Sequence, residues 1–180
     1  LELGGSDPFI VCDDADIEKA SDGAVKGRFI NCGQSCIASK RFILDKKISN
    51  EFVEKFVQKA EKLKLGDPMS EDTDIGPLVN EQGLNNLESI VNESIKEGAE
   101  LLTGGERSGN SGYFYRPTII KNVSPKMRIS KEEVFGPVAP ILVVNDEDEG
   151  IRLANDTQYG LGASIWTRDL EKAEKLSRKV

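Results

Sequence analysis

A chain of 180 residues, 38% of them hydrophobic, is long enough for one domain with a sizeable core. Its net charge of -7 is spread over short mixed runs, which argues against a nucleic-acid partner, and no apolar run nears the ~20 residues of a membrane-spanning helix. With no histidine and three cysteines, Cys12, Cys32 and Cys36, the composition favours a reducing cytosol and leaves no ligand set for a zinc site, so no metal is expected.

Along the chain, apolar strands alternate with amphipathic helices, the pattern of a layered α/β sheet with helices on its faces. Residues 9–12 read as a short strand, and 16–29 have helix spacing with Ile17, Ala20, Ala24 and Val25 on one face. A second strand follows at 41–44. Residues 49–63 form a helix with Phe52, Val53, Phe56, Val57 and Ala60 inward, and Ser49 with Glu51 and Glu54 suits its amino end. Clustered Gly, Pro and Asp make 66–78 a loop, and 81–97 a helix closed by Gly98 in a C-cap position. Leu101-Leu102 is a short strand broken by Gly104-Gly105, and 108–112 is a turn. Strands at 118–120 and 139–144, a helix at 147–155, a strand at 162–166 and a helix at 170–180 with late basic residues complete the order. There is no internal repeat.

The chemistry-bearing candidates are Cys36, in Gly33-Gln34-Ser35-Cys36, and Glu2, in Leu1-Glu2-Leu3-Gly4-Gly5. A cysteine nucleophile reacts as thiolate, and without a histidine it must draw on a carboxylate, a lysine or backbone dipoles. Gly33 permits close backbone approach, and Ser35, Ala38 and Ser39 leave room around the sulfur; the bland alternative is a buried structural thiol. Alternation sets Glu2 opposite its two leucine neighbours, where partial desolvation would raise its pKa into the range of a usable base, the alternative being a solvent-facing strand residue. Cys12 reads as core. Cys32, four residues before Cys36, would share its helix face if the segment were helical; it reads as a packing residue, with a reversible disulfide as the alternative. Asn31 reads as a structural hydrogen-bonding residue of the cysteine loop.

Three separated motifs carry a resemblance: Leu1 to Gly5 (LELGG), Phe29 to Cys36 (FINCGQSC) and Glu132 to Pro137 (EEVFGP). Between them lie Gly66-Asp67-Pro68, Thr73 to Leu78 (TDIGPL), Tyr115 to Thr118 (YRPT) and Asn155 to Gly162 (NDTQYGLG). In this order and spacing the chain resembles the aldehyde dehydrogenase superfamily along essentially its whole length, and within it the succinate-semialdehyde branch. The resemblance implies a three-layer, open, twisted, mostly parallel sheet with helices on both faces. It implies that residues 1–180 are the catalytic domain, with the amino-terminal cofactor-binding domain and a C-terminal oligomerisation segment outside the chain, and that the isolated chain is inactive; no Gly-x-Gly-x-x-Gly phosphate loop is visible in it.

The same resemblance implies oxidation of an aldehyde to the acid with NAD or NADP as cofactor, in a cytoplasmic homo-oligomer whose partner is a small aldehyde such as succinic semialdehyde. Cys36 would attack the aldehyde to give a thiohemiacetal, hydride would pass to the nicotinamide, and Glu2 would activate the water that hydrolyses the thioester. Glu133 and Phe135 would contact the nicotinamide ribose, Leu3 and Gly4 the nicotinamide through their backbone, and the Cys36 N–H would hold part of the oxyanion. Relatives that act on succinic semialdehyde often carry an arginine just before the loop asparagine, where this chain has Ile30 with Arg28 nearby. Two other readings use the same residues: a cofactor-independent cysteine esterase or hydrolase, and a non-catalytic binding protein on the same fold.

Overall fold

The computed structural model describes residues 4–109 and 112–180. Among the described residues six strands form one sheet, β1 (Asp7–Val11), β2 (Ser39–Asp45), β3 (Glu100–Thr103), β4 (Thr118–Lys121), β5 (Val138–Val144) and β6 (Ser164–Trp166), in the spatial order β3-β4-β5-β2-β1-β6. All neighbours run parallel except β3, which pairs antiparallel with β4 at one edge. The central strands are buried on both sides; β5 is apolar throughout, and β1 and β2 carry apolar runs at Phe9–Val11 and Phe42–Leu44, as parallel strands covered on two faces do.

Among the described residues six α-helices accompany them: α1 (Ile17–Phe29), α2 (Ser49–Ala60), α3 (Glu81–Lys96), the four-residue α4 (Arg128–Lys131), α5 (Glu147–Ala154) and, after the last strand, α6 (Leu170–Ser177). Successive strand residues point to opposite faces, so two neighbours on β2 identify both helical layers. Phe42 meets Phe56 of α2 with ring centroids 5.0 Å apart, and the adjacent Ile43 lies beside Gly150 of α5. The sheet is therefore covered on both faces.

An aromatic cluster fills the α1/α2 side. Phe9 and Phe42 lie 5.1 Å apart, Phe52 and Phe56 5.7 Å, and Phe29 reaches Phe56 at 6.0 Å. Burying rings of this size contributes about 2–3 kcal/mol each, so Phe29, the last residue of α1, is a firm anchor for the loop that follows it.

Helix amino ends follow their capping chemistry except at α2 and the short α4, where Ile48 and Met127 offer no side-chain cap. Asp16, Asn80, Asp146 and Asp169 each accept a backbone N–H from the first turn of the next helix. The expectation that Ser49 suits the amino end of α2 as a cap is corrected: Ile48 holds the cap position, and the Ser49 hydroxyl instead donates back to the Lys46 carbonyl. Gly98 takes the left-handed conformation, φ +105°, just past α3 as a C-cap glycine does. The turn at 108–112 lies partly outside the described residues.

Candidate active site at the amino ends of adjacent strands

Four segments gather along one end of the sheet, each immediately before a strand. Gly4–Ser6 precede β1, the cysteine loop precedes β2, Glu133–Phe135 precede β5, and the 157–162 loop precedes β6. Because β5, β2, β1 and β6 are neighbours in that order, parallel pairing alone brings together residues more than a hundred positions apart. The register Pro8↔Arg41 and Phe42↔Ile141 fixes their relative height.

The cysteine loop begins with an unusual backbone. Asn31, Cys32 and Gly33 are left-handed in succession, with φ of 49°, 57° and 68°. For an L-residue such as Cys32 this costs about 1–2 kcal/mol, and such strain persists only where the surroundings impose it. Arg28 does so. Fully buried at the end of α1, it donates to the Gly33 carbonyl at 2.9 Å, Gly136 at 2.6 Å, Val134 at 3.1 Å and Ser39 at 2.8 Å. The Gly136 N–H also donates to Gly33 O at 3.2 Å, and a side chain at Gly33 would collide with the Gly136 carbonyl. The Asn31 amide closes the loop on Gln34 O at 3.0 Å, the structural role expected of it.

This geometry corrects the idea that Cys32 and Cys36 share a helix face. Cys32 lies in a left-handed turn with 3% exposure, whereas Cys36 lies in the next turn, closed by Ala38 N–H on Ser35 O, and is exposed. All three cysteines are free thiols. Burial pushes the Cys32 and Cys12 thiols up to about 12, which leaves both inert as nucleophiles near neutrality. The Cys36 N–H meets no acceptor among the described residues.

The two adjacent glutamates of the 132–137 segment part company. Glu132 turns to Arg128 at 2.8 Å, on the surface. Glu133 turns inward: its Oε1 accepts the Gly5 N–H at 2.9 Å and lies 3.6 Å from the Lys40 ammonium. Its Oε2 faces Gly4, where even a methyl group would sit 2.6 Å from it. Phe135 is 44% exposed, its ring 5.9 Å from the Lys40 ammonium. Gly5 packs so closely on the Cys36 carbonyl that no side chain fits between them. Gly4, Cys36, Glu133 and Phe135 are thus brought into one neighbourhood, while Glu2 and Leu3 lie outside the described residues.

Three residues build the site in roles that the motifs do not announce, although Gln34 stands inside one of them. Arg28 is one. Lys40 is another, 1% exposed on β2, donating to the carbonyls of Ser35 and Cys36 at 2.8 Å and Ala38 at 3.2 Å. Burial, reinforced by the charge of Arg28, lowers its pKa against the opposing pull of Glu133 and Asp7. Gln34 is the third: its side-chain amide accepts from Val79 N at 2.8 Å and donates to Pro77 O at 3.3 Å, tying the loop to residues 77–79. The sequence signal for Lys40 was a pair of basic residues, Lys40-Arg41, opening a buried strand with no acid beside them. A cleft of about 650 Å³ opens between the 154–163 loop, the start of β1 and α6, and shares the 157–162 loop with this site.

A family model described as the aldehyde dehydrogenase family matches residues 1–180. The chain is 44% identical to a succinate semialdehyde dehydrogenase (NAD(P)+), Sad, of Escherichia coli over 180 residues, covering all of this chain and 39% of that protein. It is 49% identical over 169 residues to succinate-semialdehyde dehydrogenase (NADP(+)) 1 of Mycobacterium tuberculosis, covering 94% of this chain and 37% of the relative. The crystal structure of a succinate-semialdehyde dehydrogenase from Burkholderia pseudomallei superposes with a TM-score of 0.97 at 38% identity, over the whole of this chain and 37% of that one. The chain therefore spans about two-fifths of the length of the relatives it matches.

Proposed function

Because the chain belongs to the aldehyde dehydrogenase family, we propose that it carries the catalytic domain of an NAD(P)-dependent enzyme oxidising a small semialdehyde, of the succinic type, to its acid. The observation that supports this most is the convergence of the Cys36 loop with Glu133 and Gly5 at the amino ends of adjacent strands. On this reading the enzyme works as a cytoplasmic oligomer, and a separate cofactor-binding domain supplies the rest of the dinucleotide site.

In the proposed mechanism the Cys36 thiolate forms a bond to the aldehyde carbon, and the resulting oxyanion meets the Cys36 N–H. The residues present suit a nicotinamide ribose: a carboxylate fixed through one oxygen, and an exposed aromatic ring beside it. A bound nicotinamide would supply the acceptor for the hydride that leaves the Cys36 thiohemiacetal carbon, and that carbon thereby becomes the carbonyl of the Cys36 thioester. Glu2 then takes a proton from water as that water attacks the thioester carbon, and the sulfur leaves with the acid released. Arg28 and Lys40 are buried and committed to carbonyls, so neither serves a substrate carboxylate; the exposed Ile30 and Ile37 flank the loop instead.

The test uses the intact dehydrogenase that contains this chain, with a panel of aldehydes and both cofactors. Cys36→Ala should abolish reduced-cofactor formation. Glu2→Gln should slow steady turnover while keeping a burst near one equivalent per site, because it blocks only thioester hydrolysis. Loss of that burst would reassign Glu2 to an earlier step, and ester turnover independent of nicotinamide would return the esterase reading.

A further inference from the structure

We propose that Lys40 is a positioning residue for Glu133, a buried ammonium that locks the carboxylate against the carbonyl side of the cysteine loop. This rests on the reading of Glu133 as the contact to the nicotinamide ribose. Lys40 has three N–H groups, and all three are taken by the carbonyls of Ser35, Cys36 and Ala38. Its hydrogen bonds are satisfied by neutral groups but its charge is not, and a cation 99% removed from solvent needs a counter-charge.

Glu133 supplies it at 3.6 Å. The charges facing Lys40 are Arg28, which repels it, and Glu133 and Asp7, which attract it. Asp7 is engaged elsewhere, accepting the Gly162 N–H at 3.1 Å, and burial raises its pKa. The ammonium and the Gly5 N–H together hold one oxygen of Glu133, which leaves the other as acceptor for a diol. A carboxylate already fixed in place gives up less freedom on binding than a free one. The same ammonium holds the Cys36 carbonyl, so one side chain ties the nucleophile's backbone to the proposed cofactor contact.

The experiment is a double-mutant cycle in the intact enzyme, reading KM for cofactor and for aldehyde separately. Lys40→Met should raise the cofactor KM about tenfold and shift the aldehyde KM much less. Combined with Glu133→Gln it should add little beyond Glu133→Gln alone. Additive effects, or equal shifts in both KM values, would overturn the role of Lys40. If Glu133→Gln leaves the cofactor KM unchanged, the ribose reading fails first and the proposal with it. Lys40→Gln, whose amide still donates to the loop, carries the same cycle if Lys40→Met does not fold. Failure of both to fold would make Lys40 a structural lysine and also overturn the proposal.

Discussion

Arg28 takes a full charge into the core without an ion pair among the described residues; burial lowers its pKa to about 10, and four carbonyls from three segments replace a carboxylate. Lysine-length reach would not serve, since only the forked guanidinium meets acceptors spread this widely. Arg28→Met should strand those buried acceptors and cost about 3 kcal/mol, or a melting point lower by roughly 6–12 °C. A shift under about 2 °C would mean that water takes over the carbonyls. The thiols give a second expectation: iodoacetamide should modify Cys36 well before Cys12 or Cys32, whose thiols burial pushes up to about 12. Peptide mapping by mass spectrometry decides it, and prior modification of Cys12 would remove Cys36 as the nucleophile. At this scale the motif residues were legible, because Cys36, Glu133 and Phe135 sit in recognisable strings. Arg28 and the left-handed Cys32 were not. Their states depend on Gly136 and Val134, about a hundred positions away, and nothing local announces them.

Among the elements, α6 shows how one carboxylate docks a helix. Asp14, in the loop after β1, accepts from the Thr167 hydroxyl at 2.7 Å, from Arg168 N at 2.9 Å and from the Lys172 ammonium at 3.1 Å. Burial pushes its carboxyl up, but these donors outweigh burial and hold it down at about 2. A carboxyl depressed in the folded state adds stability above its ordinary value near 4 and loses it as pH falls toward 2. Asp14→Asn should therefore destabilise the protein at pH 6 by up to about 1 kcal/mol, with a smaller difference at pH 2.5. Urea titrations at both pH values test this; an equal loss at each would show that charge is not what docks α6. The strands and long helices were legible from periodicity and capping residues. Helix α4 was not, since four residues carry no period, and Ser49 misled because it is the first helical residue, one past the cap position, and its hydroxyl donates to Lys46 O.

For the whole molecule, sheet order is what makes the site. Central β2 and β5 pair on both sides, while β3 and the three-residue β6 are edges. Amide exchange should be slowest across Phe42–Leu44 and Ile141–Val143 and at least about a hundredfold faster in β3 and β6; uniform protection would show the edges to be as firmly held as the centre. That the layers would alternate was readable from the chain, but the order β5-β2-β1-β6, which seats four distant loops side by side, depends on crossovers that no local pattern encodes. Timing follows from it. Cys36 is synthesised about a hundred residues before Glu133 and Gly136, which at ordinary elongation rates is roughly 5–20 s. During that interval Gly33 lacks Gly136, the neighbour just before β5 against which it packs, and Arg28 lacks half of its acceptors. A ribosome-bound chain would thus display the thiol before the scaffold that shapes its loop exists, so the nascent protein passes through a window of exposure to oxidants that the finished one has closed around Cys32 and left open only at Cys36.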